Sequence, residues 1–153
     1  MIRKIFLSAF FISKFFSITI PDGSVCTGTS IEISDSSGNP ILIKAKKISI
    51  KNGICYLDDV KIDHLCGEFV AQNACFNTKT MLCEFFKNVK FKSKNIEVST
   101  EKLNSKVEDK EVFNDSETKI CLNKNILITS NGIVYNREKM KLFLLKKVHV
   151  TIK

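Results

Sequence analysis

Ile48-Ser49-Ile50-Lys51-Asn52-Gly53-Ile54-Cys55-Tyr56-Leu57-Asp58 is the stretch that decides the fold. Asn-Gly accepts the positive φ angles of a type I′ turn, whose twist matches that of paired strands. Closing the turn at Asn52-Gly53 sets Ile50 against Cys55, Ile48 against Leu57 and Lys47 against Asp58. Apolar then meets apolar and cation meets anion across the hairpin. Alternation changes phase at Asp58-Asp59, because Val60 and Ile62 fall on the other parity, and this predicts a bulge or bend there.

The same period of two runs outward in both directions. Ile31 with Ile33, then Ile41, Ile43 and Ala45, precede the hairpin; Phe69 with Ala71, Ile96 with Val98, Ile126 with Ile128, and Val148, Val150 with Ile152 follow it. Period two places these side chains on one face of a sheet. No Pro follows Pro40, which suits long ladders. The polar clusters Asp35-Ser36-Ser37-Gly38-Asn39 and Asn114-Asp115-Ser116 read as loops.

An internal repeat underlies the alternation. Residues 69–91 align with 128–150 without a gap: Phe69 with Ile128, Phe76-Asn77 with Tyr135-Asn136, Met81 with Met140, Val89 with Val148. About half that offset recurs in Val60, Val89, Ile120 and Val148, and in Ile43, Phe69, Val98 and Ile128. Each unit is a strand, a turn containing Asn, and a second strand. Such a hairpin cannot bury its face alone, so the units must stack. The expected fold class is all-β: an antiparallel β-jellyroll, or boat-shaped stack of β-hairpins, after one N-terminal apolar helix.

That helix is read from the first residues. Met1 to Lys4 is positive, Ile5 to Ile20 is apolar apart from Lys14 and a few Ser and Thr, and Pro21-Asp22-Gly23 breaks the run. This is the layout of a signal peptide or signal anchor. No small-x-small cleavage site follows, and Val25 before Cys26 argues against lipidation. The expectation is an uncleaved N-terminal signal anchor over 1–22 and an exported β domain over 23–153, the positive end staying in the cytoplasm. A cleaved signal and a buried first helix are the alternatives.

The formal net charge is +8, from 24 basic and 16 acidic side chains among 153 residues, and all the basic ones but Arg3 and Arg137 are Lys. An anion site would favour the bidentate fork of Arg. No basic patch interleaved with aromatic residues is present, so no nucleic-acid partner is expected.

Asp35-Ser36-Ser37-Gly38-Asn39-Pro40-Ile41-Leu42-Ile43-Lys44-Ala45 resembles the opening of the LptC family, single-anchor periplasmic proteins of lipopolysaccharide transport within the LptA/OstA-like superfamily. Those proteins show an acidic-x-x-Gly-x-Pro step and then alternating apolar residues. Their strand pairs end in an apolar-x-Gly-Asn-Val step, which here reads Phe85-Phe86-Lys87-Asn88-Val89 and Leu144-Leu145-Lys146-Lys147-Val148, with Lys in place of Gly both times. The resemblance spans about residues 31–153, and the apolar N-terminus favours LptC over LptA.

The resemblance implies a lipid carrier with no chemistry of its own. It would hold acyl chains of lipopolysaccharide or a similar lipid inside the jellyroll. It would receive them from an inner-membrane ABC transporter and pass them to an LptA-like periplasmic protein by edge-strand pairing. The location implied is the inner membrane, single-pass, with the main domain in the periplasm. Parity then gives the candidate lipid-binding residues: Ile43, Ile48, Ile50, Phe69, Ala71, Phe85, Val89, Val98, Ile128, Leu144 and Val148. The bland alternative is that these side chains simply pack together as a closed core.

Titratable residues add little. Cys26, Cys55, Cys66, Cys75, Cys83 and Cys121 form no Cys-x-x-Cys pair, and His64-x-Cys66 lacks a second close pair for zinc. Cys75 and Cys83 flank a turn and are candidates for cross-strand neighbours; otherwise strand Cys acts as a small buried hydrophobe. Asp58-Asp59 is a carboxylate pair, but adjacent strand residues point to opposite faces. No nucleophile elbow or phosphate-binding Gly loop is present, so neither enzyme activity nor a cofactor or metal site is expected. The rival readings are a secreted LptA-like bridge, a β-hairpin structural or interaction protein that binds no lipid, and an envelope enzyme using a Cys or Asp.

Overall fold

The computed structural model describes residues 21–34, 38–65, 67–77, 79–106, 111–136, 139 and 141–153. The described chain is all-β. Nine strands follow in order: β1 Val25–Ser34, β2 Pro40–Lys51, β3 Ile54–His64, β4 Gly67–Asn77, β5 Leu82–Lys92, β6 Ile96–Lys106, β7 Glu111–Leu122, β8 Ile126–Asn136 and β9 Lys141–Ile152. Each pairs antiparallel with the next, so one sheet runs from β1 to β9 and those two strands are its edges. The apolar helix expected over 1–22 falls almost wholly outside the described residues. Among those described, no helix is long and apolar enough to cross a membrane.

The turns are built as the residue types require. Asn52 and Gly53 take φ of 54° and 72°, and Ile50, Ile48 and Lys47 meet Cys55, Leu57 and Asp58 as expected. The repeat has a structural basis: β4 with β5 corresponds to β8 with β9 at the offset read from the sequence. Its paired Asn residues do the same work. Asn77 Oδ1 accepts from the amides of Lys79 and Thr80 at 2.9 and 3.1 Å, and Asn136 Oδ1 accepts from that of Lys139 at 2.9 Å. The Asn77–Lys79 bond closes an Asx turn, and in all three bonds a side-chain oxygen replaces a backbone acceptor.

The sheet is folded over on itself. Phe91, not Phe85, lies opposite Phe69 in the register of β4 and β5. Phe85 lies six positions from Phe91, about 20 Å along a straight strand. Yet the Phe69 and Phe85 rings meet edge-on with centroids 4.8 Å apart. The strand must therefore bend between them, and it does so at Lys87 and Asn88, with φ of 63° and 53°. Gly28 in β1, Asp59 in β3, Gly132 in β8 and Lys147 in β9 also have positive φ, and the register shifts at mid-strand in each pair from β4·β5 to β8·β9. A line of bulges crosses the sheet, and bulges kink a strand and increase its twist. The two halves of each strand then face each other, which is the jellyroll.

The bulge expected at Asp58-Asp59 is one member of this line. The loop expected at Asn114-Asp115-Ser116 is another, and the structure corrects it: these residues lie inside β7, where the register shifts between Asn114 and Glu117. Local polarity was mistaken for a chain reversal because a bulge and a loop favour the same residues.

Candidate functional site

The inner face of the folded sheet carries every candidate lipid-binding residue. Ile43, Ile48, Phe69, Ala71, Phe85, Val89 and Val98 are buried in one core cluster. Ile50, Ile128 and Leu144 are partly buried against it, and Val148 is 43% exposed. The set therefore splits. From β2 to β8 the face carries buried residues packed together, as a closed core would be, Val112, Ile120, Ile133 and Tyr135 included. Toward β9 the same face opens.

Edge strand β9 has no buried position. Leu142 and Leu144 are partly covered, whereas Val150 and Ile152, on the same face, are 58% and 75% exposed. Phe143 and Leu145 on the opposite face are about half exposed. An apolar stripe on an unpaired edge is a pairing template, which soluble proteins blunt with charge. Here exposed Lys141, Lys146 and Lys147 interrupt the stripe. Sequence reasoning did not place Val150 and Ile152 among the candidates, although their period-two spacing is visible.

Along the fold line, across β6, β7 and β8, runs a row of buried polar side chains: Thr100, Asn114, Thr118 and Ser130. Asn114 Nδ2 donates to Thr100 Oγ1, Thr118 Oγ1 and the Lys102 carbonyl, each at 2.9 Å. Its Oδ1 accepts from the Ile133 amide at 3.0 Å. Ser130 Oγ donates to the Gly132 carbonyl at 2.8 Å. The bulges free backbone groups from the ladder, and these side chains satisfy them; left unpaired, each would cost about 1–3 kcal/mol. The register also corrects the half-repeat. Thr118, not Ile120, lies in line with Val60 and Val89, because Thr100 pairs with both Val89 and Thr118.

The surface depressions lie on the outer face. One of about 440 Å³ is lined by Lys90, Lys92, Glu97, Ser99, Lys119 and Leu127, among others. Its lining mixes both charge signs, with the Lys92–Glu97 ion pair at 3.2 Å across it.

Among the described residues, no group of three or more His, Cys, Asp or Glu could hold a metal ion. Asp58 and Asp59 are both exposed, since the bulge at Asp59 breaks the alternation that would have set them on opposite faces. Asp58 accepts from Asn73 Nδ2 at 3.0 Å. Cys75 and Cys83 are one residue out of register: Cys75 pairs with Glu84 and Cys83 with Phe76, so the two thiols lie on opposite faces. Cys26, Cys55, Cys75, Cys83 and Cys121 are free thiols, and Cys66 lies outside the described residues. Burial pushes the Cys55 thiol up to about 12, with nearby Cys75 adding to it. Burial pushes Cys83 up as well, well above the ordinary value. Neither is a poised nucleophile.

No protein-family model matches the sequence, and no curated protein matches it. The fold does have a solved counterpart. LptH of Pseudomonas aeruginosa is described as the LptA homologous periplasmic component of the conserved lipopolysaccharide transport device. It superposes with a TM-score of 0.59 at 12% identity, covering 79% of this chain and 99% of that one. At that identity the likeness is one of fold: this chain is built as an LptA-like β-jellyroll.

Proposed function

We propose that the protein carries lipid across a periplasm, holding acyl chains of lipopolysaccharide or a similar lipid against the inner face of its jellyroll. The observation that supports this most directly is the opening of that face toward β9, where Leu144, Val148, Val150 and Ile152 are at least partly exposed. Burying acyl chains there releases about 0.8 kcal/mol per CH₂. In this reading the free edges β1 and β9 are where other jellyroll proteins add on by strand pairing. An inner-membrane ABC transporter supplies the lipid, an LptA-like protein receives it, and residues 1–22 anchor the chain in the inner membrane. No step needs a catalytic residue.

Site-specific photo-crosslinking in the native envelope tests the reading, with probes at Leu144 and Val150 and an exposed control at Lys51. Lipid adducts at the two apolar sites, absent at Lys51 and dependent on ATP, are the expected result. Crosslinks confined to the chain itself would instead favour a structural protein.

A soluble bridge is the second reading, favoured by the match to nearly all of an LptA homologue. The two differ in one product. A bridge loses residues 1 to about 22 on export, and an LptC-like protein keeps them, so N-terminal sequencing of the exported chain decides.

A further inference from the structure

We infer that edge strand β9 takes a strand of another protein that carries a pair of carboxylates at its bend, and that Lys146 and Lys147 keep two copies of this chain from pairing there. This choice of partner rests on the reading that other proteins add to the free edges, and it names the chemistry of the strand that β9 accepts. Lys146 and Lys147 are the central residues of β9, with five strand residues on either side. Both are exposed, and Lys147 has the positive φ of the fold line. The chain satisfies one such centre within itself. β2 reads Lys46-Lys47-Ile48-Ser49-Ile50 where β9 reads Lys146-Lys147-Val148-His149-Val150. In β2 the two lysines are likewise exposed side by side, between buried Ala45 and Ile48. The strand added next to β2 is β3, and it brings Asp58 and Asp59, exposed side by side between buried Leu57 and Val60. Lys47 pairs with Asp58 in the ladder, and Lys46 Nζ lies 3.9 Å from Asp59 Oδ2. Base meets acid at the fold line where β2 joins β3. The sheet ends at β9, so the same two lysines there face no strand.

The bend also fixes the register of any strand that joins. An added strand continues the folded sheet only if its own bend falls beside Lys147. Two copies joined β9 to β9 about a two-fold axis pair antiparallel. Matching bend to bend then sets Lys146 of one copy against Lys147 of the other. Like charges directly opposite each other destabilise a ladder. The other edge of a second copy does not supply the missing acid either, since β1 carries Thr27, Gly28 and Thr29 at its bend, with Gly28 at φ 60°. Leu144, Val148 and Val150 offer contacts that any strand with alternating apolar residues can use. The lysines supply the selection, because exposed charges at an interface decide which partner pairs more than how tightly it is held.

The test turns the native chain's own edge into the probe. Full-length native chain is mixed in detergent with full-length Lys146→Asp/Lys147→Asp, one of the two isotope-labelled. Asp tolerates the left-handed backbone at position 147. A benzophenone amino acid in place of Phe143 crosslinks under light, and peptide mass spectrometry locates the products. In the bend-matched register Phe143 lies opposite Val150 of the other copy. Crosslinks between the two β9 strands should be roughly tenfold more abundant in the mixture than in either protein alone. Native chains that crosslink β9 to β9 as readily as the mixture would overturn the role of the lysines. The uncharged Lys146→Asn/Lys147→Asn separates the remaining cases. If it pairs with itself through β9 while the mixture does not pair, the edge adds strands without regard to charge, and the acidic partner is overturned with the edge-pairing reading intact. If no combination crosslinks β9 to β9, β9 is not a pairing edge and that reading is overturned as well.

Discussion

Phe69 touches Phe85 although Phe91 is its partner in the ladder, and that contact holds the sheet folded. Both rings are essentially buried, Phe69 at 2% and Phe85 at 0% exposure. Removing either leaves a cavity on both sides of the fold line at once. Phe69→Ala and Phe85→Ala should each cost about 3–5 kcal/mol in urea unfolding, the range for a buried Phe. The double variant should cost less than the sum, by about 0.5–1.5 kcal/mol, the coupling of an edge-on aromatic pair. Strict additivity would mean that the two halves do not pack through these rings.

The backbone at Lys87 supplies a second test. Its φ of 63° is in the left-handed region, where a Cβ crowds the following carbonyl oxygen. Glycine relieves that crowding but gains freedom in the unfolded chain. Relief should win, so Lys87→Gly should stabilise the protein by about 1 kcal/mol. Lys87→Ala, which keeps the Cβ, should change little. A destabilised Lys87→Gly would mean that the lysine stem makes packing contacts outweighing the strain.

Much of this fold was legible in the sequence, and the reason lies in the turns. Asn52-Gly53 fixed the register of β2 and β3, and the paired Asn77 and Asn136 marked equivalent reversals. Alternation then set the apolar candidates such as Ile43, Phe69 and Val98 on the face that packs inward. It could not say which of them are covered, because coverage depends on how many strands flank a residue. Phe69 in β4 and Val148 in β9 obey the same period, yet one is core and the other is edge. The line of bulges was visible only at Asp58-Asp59, where apolar parity changed. At Asn114 the inner-face residues are polar, so parity offered no signal and a mid-strand bend read as a loop. The apolar edge of β9 was likewise hidden, since nothing local says that a strand is last.

Thiol accessibility should follow burial. Cys26 lies exposed on edge strand β1, whereas Cys55 and Cys83 flank Phe76 inside the core. Under native conditions maleimide should modify Cys26 quickly and spare Cys55 and Cys83 until denaturant is added. Peptide mapping of the modified sites checks this. Early labelling of Cys83 would mean that the β4·β5 core opens far more readily than its packing allows.

The same thiols predict an alkaline limit. Cys55 is pushed from 9.0 to about 12 in the folded protein, and Cys83 is raised too. Above about pH 9 the unfolded chain releases these protons while the folded chain retains them. The unfolded state then binds fewer protons, so stability falls as pH rises. The contribution is intact below pH 9 and declines progressively toward pH 12. Lys61, raised mainly by its hydrogen bond to Glu68, acts in the same direction above its ordinary 10.5. Urea midpoints measured from pH 7 to 11 should be level at first and then fall. In Cys55→Ala/Cys83→Ala the fall above pH 9 should be shallower; an unchanged slope would assign it to other groups.

Edge strand β9 separates stability from function. Val150 is more than half exposed, so it contributes little to the core. Val150→Asp should change unfolding free energy by no more than about 0.5 kcal/mol, as surface substitutions usually do. A carboxylate there would nonetheless repel an anionic head group and place a charge where an acyl chain or a neighbouring strand should lie. Lipid adducts from a probe at Leu144 should therefore fall sharply in Val150→Asp, and Val150→Leu should retain them. If Val150→Asp labels as well as the native chain, the open face of β9 is not the route by which lipid enters.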